Sequence, residues 1–108
     1  MIDLHITSGI YCLINKVNLK MYIGQSRNIE SRVYGHIAQL INGLHPTAAL
    51  QADWDRLGAD AFEAQVLVVE TSKAQREKIE EIFIHAYQAL DPSFGYNLPK
   101  GRTRQQPI

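Results

Sequence analysis

A chain of 108 residues has room for one modest hydrophobic core and not for two. Eleven Lys and Arg balance eleven Asp and Glu, which argues against a domain that holds nucleic acid through a strongly basic surface. No apolar run approaches the roughly 20 residues that span a bilayer, and the start, Met1-Ile2-Asp3-Leu4-His5, has neither the basic nor the apolar part of a signal peptide. The expected setting is therefore cytoplasmic, away from membranes. Cys12, the only cysteine, lies in an apolar segment without a partner for a disulfide or a zinc cluster, and reads as a buried structural thiol.

In chain order, Ser8 to Asn15 is apolar and rich in strand formers; Lys16 to Leu19 reads as a turn and Lys20 to Gly24 as a second strand, so the pair forms a β-hairpin. Asn28 can cap a helix whose apolar positions Ile29, Val33, Ile37, Leu40, Ile41 and Leu44 recur at steps of three and four, until Gly43 and Pro46 disturb the pattern. A shorter helix is predicted over 47–57, with Leu50, Trp54 and Leu57 on one side and Gly58 at its end. Residues 61–70 read as a third strand. Ser72 and Gln75 make a capping box for a last helix reaching Leu90, with an apolar stripe of Ile79, Ile82, Phe83, Ala86 and Leu90. The order β-β-α-α-β-α predicts an α+β domain: a small three-stranded, mainly antiparallel sheet flanked by helices. It should occupy residues 1–98. Residues 99–108, with Lys100, Arg102 and Arg104 and no acidic residue, read as a flexible basic tail able to touch phosphates.

Gly9-Ile10-Tyr11 on the first strand and Tyr22-Ile23-Gly24 on the second form a paired signature. Arg32 follows Tyr22 by ten residues and His36 follows Arg32 by four. A glutamate lies in the last helix within Glu80-Glu81-Ile82-Phe83-Ile84, and Gly95-Tyr96-Asn97 comes near the end. In this order the pieces resemble the GIY-YIG nuclease family across residues 9 to 98. The resemblance implies a homing-endonuclease-like catalytic domain of bacterial or phage type that hydrolyses DNA phosphodiester bonds with one divalent ion, Mg²⁺ or Mn²⁺, and leaves 5′-phosphate and 3′-hydroxyl ends.

Such hydrolysis needs a water and a group to take its proton, positive charge for the phosphate oxygens, and help for the departing oxygen. Strand alternation puts Tyr11 on the side of Gly9 and Leu13, and a tight hairpin brings it toward Tyr22. By resemblance Tyr11 is the general base, although a free phenol of pKa about 10 needs cationic neighbours to act as one. Tyr22 would position the phosphate or a water. Without the motif, both would read as ordinary strand aromatics. Arg32 and His36, at i and i+4, share one flank of their helix; a guanidinium binds two phosphate oxygens at once, and His36 would assist Tyr11.

Among Glu77, Glu80 and Glu81, the predicted stripe centres near Phe83 and turns Glu81 to solvent, leaving Glu80 at its margin. The family's metal helix has the pattern of Glu80, Phe83 and Ile84, so Glu80 is the expected ligand, completed by waters and DNA oxygens. His45 and Asn97 are secondary substrate contacts by resemblance; alternatively, His45 is a helix-end histidine and Asn97 fixes a turn. Neutral charge implies weak, salt-dependent DNA binding, with specificity from a targeting domain, a protein partner or a homodimer. Two other readings remain: a nucleic-acid-binding module that has lost catalysis, and a protein-interaction domain using its helical faces.

Overall fold

The computed structural model describes residues 7–99, so the expectations for the first six residues and for Lys100, Arg102 and Arg104 lie outside the described residues. Three strands form an antiparallel sheet in the order β2-β1-β3: β1 (Gly9–Asn15), β2 (Met21–Ser26) and β3 (Phe62–Val69). Two helices, α1 (Ile29–Ile41) and α2 (Ala48–Leu57), lie between β2 and β3, and α3 (Lys73–Ala86) follows β3. The expected α+β architecture and element order are therefore the observed ones.

β1 is the central strand and is covered on both faces, which is why its sequence runs apolar without alternating. Its odd positions Tyr11 and Leu13 join Ile29, Val33, Leu40, Leu50 and Tyr96 in one cluster; Ile10 and Cys12 join Met21, Ile23, Ile84 and Ala89 in the other. Cys12 is fully buried, and that burial pushes its thiol up to about 11. It is a packing residue.

The helix starts match their caps: Asn28 accepts from the Ser31 N–H at 3.1 Å, and Ser72 accepts from the Gln75 N–H at 3.3 Å. The helix ends and faces differ from the periodic reading. α1 closes at Ile41, leaving Ile41 and Leu44 exposed, while His36 takes an inward position. α3 closes at Ala86, four residues before Leu90, because Gln88 adopts φ 56° and the Ala89 N–H turns back to the Ile84 carbonyl. Its inward face is Arg76, Ile79, Glu80, Phe83 and Ile84; Ile82 is 65% exposed. The helix is rotated relative to the stripe predicted through Ile82 and Leu90, and Arg76 holds the rotation: it is buried and donates to Gln25, to Ser8 and to the Thr71 carbonyl. Glu80 accordingly lies within the inward arc, between Arg76 and Ile84 at i±4, and not at its margin.

After α3 the chain returns to the outer edge of β2. The Met21 and Gly95 backbones form a parallel bridge, and Asn97 accepts from the Ile23 N–H at 2.8 Å and donates to its carbonyl at 2.9 Å. One side-chain amide thus acts as a fourth strand for a single residue.

Candidate active site

The two glycines of the paired signature have specific steric reasons. A Cβ on Gly9 would collide with the Val68 carbonyl oxygen, where the β1–β3 register shifts between Ile10 and Tyr11. This bulge, at one edge of the site, re-aims the strand. Gly24 lies directly opposite Tyr11, and its Cβ would collide with the Tyr11 hydroxyl and ring. Only glycine lets the phenol lie flat over β2. Leu13 is the residue opposite Tyr22, so the two tyrosines are diagonal neighbours and not a facing pair.

Under that cover Tyr11 is 1% exposed and its oxygen meets His36 Nε2 at 2.8 Å. A backbone group fixes the direction of the bond. The Thr47 N–H donates to His45 Nδ1 at 3.0 Å, and a ring nitrogen that accepts a backbone N–H carries no proton, so His45 bears its proton on Nε2. That nitrogen faces His36 Nδ1 at 2.9 Å and donates to it. The proton of His36 is therefore on Nε2, and His36 donates to Tyr11. The two imidazoles stack at 5.1 Å, with Tyr22 edge-on to both. Burial, then the neighbouring His45 and Arg32, push His36 down to about 4, so it is neutral at pH 7.

The Arg32 guanidinium lies beside the Tyr11 hydroxyl, close enough for a charge-assisted hydrogen bond; that contact is the main reason the guanidinium is held above its ordinary value. Burial, then Tyr22, push the Tyr11 phenol well above its usual range, while Arg32 pulls it back and Glu80 adds a small push upward. At rest Tyr11 is a phenol. Its oxygen faces two donors, and both favour the phenolate once the proton leaves.

Of the seven residues expected from the sequence, six belong to this corner: Tyr11, Tyr22, Arg32, His36 and Glu80 interact with one another, and His45 completes the histidine chain. An open polar cleft of about 710 Å³ adjoins them, walled by Tyr22, Arg32, His36 and His45 and running on past Asn28, Ser31 and Gln39. Two assignments change in kind. His45 directs its ring at His36 and Thr47 as well as walling the cleft, and Asn97 spends its amide on the backbone of β2, outside the cleft walls. Asn97 thus holds the strand that carries Tyr22 and Gly24. Thr47 was missed by sequence reasoning, since a main-chain donor leaves no mark in residue type.

No group of three or more His, Cys, Asp or Glu among the described residues converges as an all-protein metal cage. Glu80 offers a single half-buried carboxylate on the inward face of α3. One hard oxygen donor, with the other positions left to water and phosphate oxygens, suits a Mg²⁺-like ion and not a zinc site.

A guanidinium on the cleft wall that interacts with a phenol ringed by donors and with a carboxylate meets the needs of phosphodiester hydrolysis. The GIY-YIG catalytic domain model matches residues 7–97, and the chain belongs to that nuclease family. A curated relative, intron-associated endonuclease 1 of Enterobacteria phage T4, is 35% identical over 60 residues, covering 56% of this chain and 24% of the relative. The chain thus spans about a quarter of that protein's length. Two solved structures of the catalytic domain of the homing endonuclease I-TevI, one a glutamate-to-alanine variant, superpose with a TM-score of 0.77 at 28% identity. The alignments cover 84% and 86% of this chain, and 92% and 99% of theirs. No helix among the described residues is long and apolar enough to cross a membrane.

Proposed function

We propose that the chain is a DNA endonuclease domain that hydrolyses phosphodiester bonds with one divalent ion, Mg²⁺ or Mn²⁺, held by Glu80, leaving 5′-phosphate and 3′-hydroxyl ends. The observation that carries this reading is the convergence of Tyr11, Tyr22, Arg32, His36 and Glu80 from four separate elements beside one polar cleft. When bound, the ion would supply positive charge to the phosphate and the departing oxygen.

Arg32, exposed to the cleft, binds the phosphate oxygens and offsets the charge they gain at the transition state. Tyr11 takes the proton of the attacking water in its phenolate form, which Arg32 and the Nε2–H of His36 favour. His36 cannot itself remove the Tyr11 proton through Nε2, because that nitrogen already carries one; it acts as a donor. Tyr22 borders both the cleft and the two imidazoles and orients the phosphate or a water. His45 acts through His36, fixing its tautomer, and Asn97 acts through β2. DNA selection comes from a targeting segment, a protein partner or a second copy, and Lys100, Arg102 and Arg104 add phosphate contacts. The working place is the cytoplasm, on genomic or phage DNA.

The test is nicking of supercoiled plasmid in Mg²⁺ or Mn²⁺ against EDTA, with Arg32→Ala and Glu80→Ala beside the parent protein. Metal-dependent nicking that both substitutions abolish, with unchanged circular dichroism, is the expected result. A Glu80→Ala protein that keeps the parent rate in Mg²⁺ would overturn the assignment of the ion to Glu80.

A further inference from the structure

Gly35 lies in the middle of α1, where glycine is among the least favourable residues because it leaves the backbone unrestrained in the unfolded chain. Gly9 and Gly24 are demanded by atoms that a Cβ would strike. At Gly35 a Cβ would meet nothing within 4 Å, and the backbone is not in the left-handed region. Neither packing nor backbone geometry accounts for it. Gly35 does line the polar cleft, between Arg32 and His36 on one side and Gln39 a turn further on. A side chain there would project into the cleft.

The walls of that cleft have a second property. They include Arg27 and Arg32 and, among the described residues, not one acidic residue, in a chain whose total charges balance. Arg32 is engaged with Tyr11, whereas Arg27 is exposed and forms no ion pair among the described residues. Ser26, Ser31 and Gln39 add hydrogen-bonding groups along the same wall. A strand of phosphates fits such a surface: anionic, in need of repeated donors, and bulky enough to require a bare stretch of helix where it passes closest.

We propose that the Gly35 wall of the cleft seats the DNA backbone flanking the scissile phosphate, with Gly35 as the point of closest approach and Arg27 as a phosphate contact separate from the catalytic one. The proposal rests on the nuclease reading above. The two arginines then have different roles, Arg32 acting on the reacting phosphate while Arg27 holds a neighbour without touching the reacting atoms.

The experiment measures binding of a short fluorescein-labelled duplex by anisotropy across a salt series in EDTA, together with plasmid nicking and thermal melting, for the parent, Arg27→Ala, Gly35→Ala, Gly35→Leu and Tyr34→Ala. Tyr34 is the control: it is on α1, 64% exposed, and not part of the cleft wall. Arg27→Ala should weaken binding about tenfold at low salt and reduce the salt slope by about one. Gly35→Ala should raise the melting temperature, and Gly35→Leu should weaken binding by about tenfold or more without lowering it; Tyr34→Ala should change neither. Parent-like binding by Gly35→Leu, or an unchanged salt slope in Arg27→Ala, overturns this proposal while leaving the nuclease reading intact. A folded parent that neither binds nor nicks DNA at low salt overturns both.

Discussion

Two buried tyrosines, set at opposite ends of the β1–β2 hairpin, share a residue type and near-complete burial and differ in everything around the hydroxyl. Tyr96 donates to the Asp53 carboxylate at 2.6 Å and accepts from Asn15 Nδ2 at 3.0 Å. Burial, then the bond to Asp53, push its phenol up to about 12. Asp53 is held below the usual carboxylate range: partial burial acts against this, and hydrogen bonds from Tyr96, Arg56 and Asn18 outweigh it. Among the described residues Tyr11 has no anion as its hydrogen-bond partner. Its oxygen faces the Nε2–H of His36 and the Arg32 guanidinium. A carboxylate partner locks a phenol in its protonated form, whereas two donors favour losing the proton. Burial raises both phenols; what separates the structural tyrosine from the chemical one is the sign of the partner's added effect, upward from Asp53 on Tyr96 and downward from Arg32 on Tyr11.

Substitution of each hydroxyl tests this contrast most directly. Tyr11→Phe keeps the ring that fills the space above Gly24 and should lower the nicking rate by about 10²- to 10⁴-fold, measured at saturating metal with folding verified by circular dichroism. A rate within a few-fold of the parent would remove Tyr11 from the chemistry. In the parent, log rate should rise with pH from neutral into the alkaline range, because Tyr11 lies above its ordinary value and must lose its proton to act.

The histidine chain provides the next largest effect. His36 has a folded value of about 4 against 6.5 in the unfolded chain, so between those pH values the unfolded state binds more protons and stability falls as pH falls. The sum across the window is at most about 3 kcal/mol, fully present above pH 6.5 and lost on approaching pH 4. Urea denaturation at stepped pH should reveal this slope, and His36→Gln should flatten it; an equal slope in both proteins would mean that His36 is not held neutral.

Tyr96→Phe should cost about 1–3 kcal/mol in the same denaturation assay, by leaving Asn15 Nδ2 without its acceptor and Asp53 with only Arg56 and Asn18 of its three donors, while the rate per folded molecule stays at the parent value. A fall in rate larger than the loss of folded protein would erase the distinction between the two tyrosines. Outside both networks, Ile82→Lys should change stability by less than about 0.5 kcal/mol, since Ile82 faces solvent; a larger loss would return it to the core.

The sequence by itself determined the element order, the helix caps at Asn28 and Ser72, and the identity of the clustered residues. These are local: caps and strand runs are written in neighbouring residues, and the paired tripeptides carry their own steric demands at Gly9 and Gly24. It also turned Glu81 to solvent and Glu80 away from it, as the structure does, though from a stripe that included Ile82 and Leu90 wrongly. Periodicity gives the pitch of a helix but not its rotation, which is decided by what the sheet leaves to be covered. Only the tertiary structure decided that His36 turns inward, that His45 serves it, and that Asn97 binds β2. Those roles depend on which atom meets which across 9 to 74 residues of chain. The direction of the histidine chain depends on the main-chain N–H of Thr47, a donor that nearly every residue type possesses and that only folding can aim.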